Sequence, residues 1–237
     1  MDGKALAQAA RAYGVQLRRT QLEAFTLFEK RLYEANRVAN LTKVPQNECW
    51  SRHFLDSLIL APLIPKNATV LDIGSGPGFP GACLAIARSD LTVTCLDSAA
   101  KAVDFMLRLF GPGGTLPVLF HIVQGRAEDA AHDAALRESF DFVTGRAIAP
   151  FPVQCELSAA FARVGGLFVP MRTPKERDEI QKFNCKGLGL RLVDLKPVRV
   201  AGGVVRLLPV IRKQGRTPAG FPRRWARMKS QPIGTTL

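Results

Sequence analysis

Up to about residue 64 the apolar positions of the chain recur at helical spacing. Leu22, Phe25, Phe28, Leu32 and Ala35 fall on one face, with Glu29, Lys30, Glu34 and Arg37 on the other. A shorter helix is expected before them, from Lys4 to Tyr13, ended by Gly14. Thr20-x-x-Glu23 has the form of a capping box for the long helix. A third helix, Asn47 to about Ala61, carries Leu55, Leu58 and Ile59 as its core stripe and is stopped by Pro62 and Pro65. Trp50, His53 and Ser57 lie on another face of it, with Arg52 and Asp56 one turn apart. Residues 1–64 therefore read as a helical cap. On composition alone, His53 is a partly buried helix residue.

From Ala68 onward short apolar runs alternate with helical patterns, which predicts a parallel sheet with crossover helices. The strands are Ala68–Ile73, Leu91–Leu96, Val118–Val123, Phe140–Thr144 and Leu167–Met171. Between the second and third, Val103, Met106, Leu107 and Phe110 are spaced as the core face of a helix. A helix from about Val153 to Ala162 precedes the fifth strand, and a charged one near Lys175 to Phe183 follows it. Leu190–Leu195 and Val204–Ile211, separated by Gly202-Gly203, are predicted to pair antiparallel at the sheet edge. Residues 65–213 make up this second domain, and the proline-punctuated segment 214–237 reads as an extended arm.

Composition adds three constraints. At 237 residues, 47% apolar and 22% charged, the chain suits one α/β domain with an appendage. No run approaches the ~18 apolar residues a bilayer span needs, and the first residues lack a signal-peptide core, so a cytoplasmic protein is expected. Five widely spaced cysteines and three histidines show no metal-ligand spacing, which points to buried reduced thiols and no metal. The formal net charge is +13, and no Asp or Glu occurs from Lys196 to the end. A one-signed segment of this kind, with Arg212, Lys213, Arg223 and Arg224 among its cations, suits nucleic acid.

The chemistry centres on Val70-Leu71-Asp72-Ile73-Gly74-Ser75-Gly76-Pro77-Gly78-Phe79-Pro80-Gly81, a strand that breaks into glycines and then opens a helix. Gly76-x-Gly78-x-x-Gly81 matches the dinucleotide fingerprint, and Asp72-x-Gly74-x-Gly76-x-Gly78 matches the loop of S-adenosylmethionine methyltransferases. Asp97, about 20 residues further on, could accept ribose hydroxyls in either case. Asp72 discriminates between the two. A carboxylate beside a pyrophosphate adds like-charge repulsion, whereas S-adenosylmethionine brings a sulfonium and an ammonium group. The ends of four strands would converge there with Asp72, Asp97, Ala127-Glu128 and Arg146. A class I (Rossmann-like) methyltransferase fold is thus favoured over an NAD(P)-dependent oxidoreductase or a catalytically idle RNA-binding protein.

Asn40-Leu41-Thr42, Arg52-His53-x-x-Asp56-Ser57, the glycine loop with Phe79-Pro80-Gly81, Leu96-Asp97-Ser98, Arg126-Ala127-Glu128 and Arg146-Ala147 together resemble the bacterial RsmG (GidB) family. The likeness runs from about Leu22 to Lys213. It implies transfer of a methyl group from S-adenosylmethionine, leaving S-adenosylhomocysteine, to guanine N7 of 16S ribosomal RNA. The partner would be that RNA or the small-subunit particle, and the enzyme a monomer. By the same resemblance Gly74, Gly76, Gly78, Phe79, Asp97, Ala127, Glu128 and Arg146 would form the cofactor pocket with Asp72. Arg146 would lie near the reacting end, and His53 and Asp56 would close the pocket from the cap. Three positions depart from the family pattern. Met171-Arg172-Thr173 stands where Lys-Gly is usual, with Arg172 expected to supply the RNA-contacting charge. Gly145 stands for a common serine, and Ser89 for a proline. Guanine N7 has an in-plane lone pair, so no general base is expected.

Overall fold

The two apolar periods of the chain build two different layers. The structure, a computed structural model, describes residues 2–116, 118 and 120–234. Three elements make the cap: α1 (Gly3–Arg11), α2 (Arg19–Ala39) and a π-helical turn Trp50–Leu55 that runs into α3 (Asp56–Leu58). There follow β1 (Thr69–Ile73), α4 (Gly81–Ala87), β2 (Thr92–Asp97), α5 (Ala100–Phe110), β3 (His121–Gln124), α6 (Ala127–Ala130) and β4 (Phe140–Arg146). The chain continues through α7 (Phe151–Ala159), β5 (Ala162–Met171), α8 (Arg177–Lys182), β6 (Leu190–Arg199), β7 (Val205–Lys213) and α9 (Trp225–Ser230).

The seven strands lie in the order β3-β2-β1-β4-β5-β7-β6. β7 runs antiparallel to both neighbours, while the pairs among β1 to β5 are parallel. The expected hairpin is therefore present, with its second strand inserted against the parallel sheet. Strand order reverses at β1, which sits between β2 and β4, so the crevice for a ligand opens at its carboxyl end.

Residues alternate across the sheet. Val70 packs with the cap, α4 and α5, whereas Leu71 and Ile73 face α7. The period places Asp72 on the α4 side, in the company of Val70. The cap is welded to that side by an aromatic group in which Phe28 stacks on Phe79 at 5.2 Å and Phe54 lies 4.8 Å from Phe25.

Several local expectations change. The capping box is not Thr20 with Glu23: the N-cap is Arg18, and α2 starts two residues earlier. Gln21 accepts from the Arg18 amide at 2.8 Å and donates to the Ile86 and Ala87 carbonyls of α4. Carbonyl acceptors on α4 thus help decide where the helix begins. The third helix is not one α-helix but the π turn and its short continuation. Leu107 is 43% exposed, and Phe105 and Leu109 take the core places instead. All five cysteines are free and buried. No helix among the described residues is long and apolar enough to cross a membrane.

The largest departure is the segment after Lys213. It is not an extended arm but folds back along α7, ending in α9 with Met228 fully buried. The Arg137 guanidinium donates to the carbonyls of Thr217, Pro218 and Phe221, and the Arg223 guanidinium grips Glu156 through two bonds of 2.9 and 2.7 Å. Acidic partners from distant elements neutralise what looks unopposed in the linear chain.

Candidate active site

At the end of β1 the backbone turns through Gly74, Gly76 and Gly78, all with positive φ (63°, 54° and 111°), a conformation that excludes most side chains. The turn is fastened from both sides. Gly74 N donates to the Leu96 carbonyl at 2.8 Å, Gly76 N to Asp97 Oδ2 at 2.7 Å, and Gly81 N to Asp72 Oδ2 at 2.7 Å. Asp97 also accepts from Ala99 N at 2.8 Å, so its carboxylate links the glycine loop to the start of α5.

Asp72 is not open to the crevice as expected; it is fully enclosed, because the β1 alternation points it under the start of α4. Burial pushes its carboxyl up to about 8, opposed by the Gly81 bond and by Arg146. Its Oδ1 has no hydrogen-bond partner among the described residues. A Cβ placed on Gly76 would meet nothing within 4 Å, so open space lies against the loop backbone. Open space against a bare glycine turn, beside the Asp97 carboxylate that fastens it, suits a nucleoside cofactor. At the ends of β2 and β3, Ser98, Gln124, Gly125 and Arg126 line an open cleft of ≈ 630 Å³ beside Asp97. Ala127 begins α6 next to that cleft, and Glu128 is half-buried in its first turn. Two larger clefts, each ≈ 660 Å³, border the cap and α4 away from the strand ends, so size does not mark this site.

The cap supplies the opposite wall. Arg146, at the end of β4, donates to Asp56 Oδ2 at 2.9 Å, to the Arg52 carbonyl at 3.1 Å and to His53 Nδ1 at 3.1 Å. Because Nδ1 accepts, the proton of His53 sits on Nε2 and is donated to Thr42 Oγ1 at 2.7 Å. Burial, with Arg146 and Arg52 nearby, pushes His53 down to about 3, so the imidazole is neutral and both its nitrogens are engaged. The ring lies parallel to Phe79 at 4.2 Å, and the Arg146 guanidinium sits 5.5 Å from the same ring. Phe79 itself is 3% exposed; its ring is held between His53 and Phe28 rather than standing in the crevice.

Asp56 is 1% exposed and carries a second cation that the sequence reading missed. Arg206 of β7 donates to both its carboxylate oxygens, at 2.7 and 3.1 Å. A signal for it exists in the sequence. Leu208 and Val210, two and four residues on, belong to the core on the cap side, so an arginine in that register must find a buried anion.

The expected RNA-contacting cations divide into two groups. Arg172 is buried, donating to the Ala149 carbonyl at 2.9 Å, to Gln154 Oε1 at 2.8 Å and to Glu176. Lys213 is buried as well, donating to the carbonyls of Ala159 and Leu188 and to Thr217 Oγ1. Arg223 is committed to Glu156. These three hold the fold, because β5, β7 and the C-terminal segment turn them toward carbonyls and carboxylates inside the protein. Arg212 and Arg224 are exposed. Gly145 also has a packing reason: a Cβ there would stand 2.3 Å from Ile148 Cδ1, which leans over from the loop after β4.

The chain resembles known proteins over most of its length. A family model described as GidB, rRNA small subunit methyltransferase G, matches residues 21–200. The chain is 34% identical to the ribosomal RNA small subunit methyltransferase G of Clostridium beijerinckii, over 96% of this chain and 97% of the relative. It is 33% identical to the protein of the same name from Lactobacillus johnsonii, over 98% of this chain and 100% of that one. Among solved structures, a TehB-like SAM-dependent methyltransferase from Corynebacterium glutamicum shares the fold. Its TM-score is 0.53 at 18% identity, covering 78% of this chain and 98% of that one. A 16S rRNA (adenine(1408)-N(1))-methyltransferase variant from Catenulisporales acidiphilia matches with a TM-score of 0.50 at 17% identity, over 66% and 87%.

Proposed function

The chain belongs to the rRNA small subunit methyltransferase G family, and from that premise we propose that it methylates N7 of a guanine in 16S ribosomal RNA. The observation that carries the reading is the seam at Arg146, where the end of β4 is locked to the cap beside the glycine loop. S-adenosylmethionine, when bound, supplies an electrophilic methyl group on a sulfonium. Gly74 and Gly76 would hold its methionine end, Asp97 its ribose, and Ala127 with Glu128 its adenine.

Guanine N7 attacks with its own lone pair, so no proton has to be removed first. The neutral His53, hydrogen-bonded at both nitrogens, is not free to act as a base and serves instead to hold Arg146 and Phe79 in place. Rate enhancement would then come from positioning the acceptor base in line with the methyl group and from shielding the reaction from water. The exposed cations Arg212, Arg216, Arg224, Arg227 and Lys229 would meet RNA phosphates. The enzyme would work as a monomer in the cytoplasm.

The test is methyl transfer in vitro. Small-subunit particles and naked 16S RNA from cells lacking this protein are incubated with labelled S-adenosylmethionine, and N7-methylguanine is mapped. One new N7-methylguanine is expected. Label at another base or atom, or none in either substrate, would refute the reading.

A further inference from the structure

The C-terminal segment does more than return to the domain: it reaches the walls of the pocket. Its course is held at three points. Thr217, buried, donates through its amide to Glu138 and through its hydroxyl to the Ala159 carbonyl. Pro222 presents its carbonyl to His132 Nε2 at 3.2 Å. Arg223, between them and α9, closes on the buried Glu156 of α7 and donates also to the Gln231 carbonyl. These anchors set α9 against α7, where Met228 joins Val153 and Leu157 in an apolar cluster.

Four half-buried residues pack against that cluster: Ala127, Ile148, Ala149 and Trp225. Ala127 is the first residue of α6 at the adenine side, and Ile148 belongs to the loop that follows Arg146. Ile148 in turn presses on the glycine loop, since a Cβ on Gly74 would lie 3.1 Å from its Cγ1. A continuous row of touching apolar groups thus runs from α9 to both ends of the crevice. The opposite side of α9 exposes Arg227 and Lys229, with Arg224 exposed just before the helix.

We propose that residues 214–234 are a shared wall of the active site, with Met228 and Trp225 as positioning residues that act on the cofactor pocket through Ile148 and Ala127, while the exposed cations of α9 take RNA phosphates. The proposal rests on the cofactor reading above and deepens it: RNA seated on α9 bears directly on the geometry of the methionine and adenine ends. A tail that only tethered RNA would be independent of both.

The experiment measures S-adenosylhomocysteine affinity by calorimetry at 20 °C, together with kcat and RNA KM, in the full-length protein. Met228→Ala is expected to weaken the cofactor analogue about tenfold and to lower kcat, with Met228→Leu restoring both. Trp225→Ala, at a half-buried position, tests the same wall if Met228→Ala does not fold, and should weaken binding in the same direction. The double variant Met228→Ala/Ile148→Ala should lose no more than the larger single loss. Arg227→Ala/Lys229→Ala should raise RNA KM and flatten its salt dependence. A wild-type protein that does not bind the analogue refutes the cofactor reading itself. If the wild type binds and both apolar variants keep its affinity and kcat while losing only thermal stability, the shared wall is refuted. Additive losses in the double variant refute the route through Ile148.

Discussion

Two buried carboxylates a few residues from the same pocket have opposite surroundings. Asp56, on the cap, receives three bonds from two guanidiniums that arrive from β4 and β7. Asp72, inside the sheet, has one backbone donor on Oδ2 and, among the described residues, no partner on Oδ1. Asp56 is therefore a fastening, an ion triad whose members each need the others. Asp72 is kept protonated near neutrality by enclosure, with its Oδ2 tied to the start of α4. The cap–sheet seam is closed by charge, and the loop beside it is left open for a ligand.

The comparison breaks most visibly at Asp56. Asp56→Ala leaves Arg146 and Arg206 facing each other without an anion, and should cost about 3–5 kcal/mol. Urea denaturation measures it; a loss typical of a surface position would mean the triad is not a fastening.

Asp72 should show itself through pH. Its folded-state value of about 8 lies above the ordinary 3.8, so the folded protein holds this proton more tightly than the unfolded chain. The stability that follows is complete below about pH 4 and is lost as pH rises through about 8. Asp72→Asn removes this component, so the difference in unfolding midpoint between variant and wild type should shift in favour of the variant from pH 5 to pH 9. A constant difference across that range would show that the carboxyl is ionised when folded.

The smallest effect belongs to the surface. Arg224→Ala should leave the urea midpoint in place and lower the salt slope of RNA binding by ~1. A drop in stability would place Arg224 with its neighbour Arg223 among the internal fastenings.

Much of this molecule was readable from its linear order. Helical spacing gave way to strand–helix alternation between the helices before residue 64 and β1, because each pattern can bury its apolar residues in only one kind of layer. The glycine turn after β1 was legible too, because a strand that must turn sharply needs residues that tolerate positive φ. The residues of Arg146, His53 and Asp56 were visible through likeness to a family, while their mutual bonds were not.

What only tertiary structure decided was the fate of charge. Arg172, Lys213 and Arg223 look in the sequence like Arg212 and Arg224, yet they are turned inward to carbonyls, Gln154, Glu138 and Glu156. Arg206 meets an aspartate 150 positions away. An apolar residue announces its burial by period, since water expels it whatever its neighbours. A cation is buried only where a distant anion or carbonyl receives it, and no local pattern of the chain records that partner.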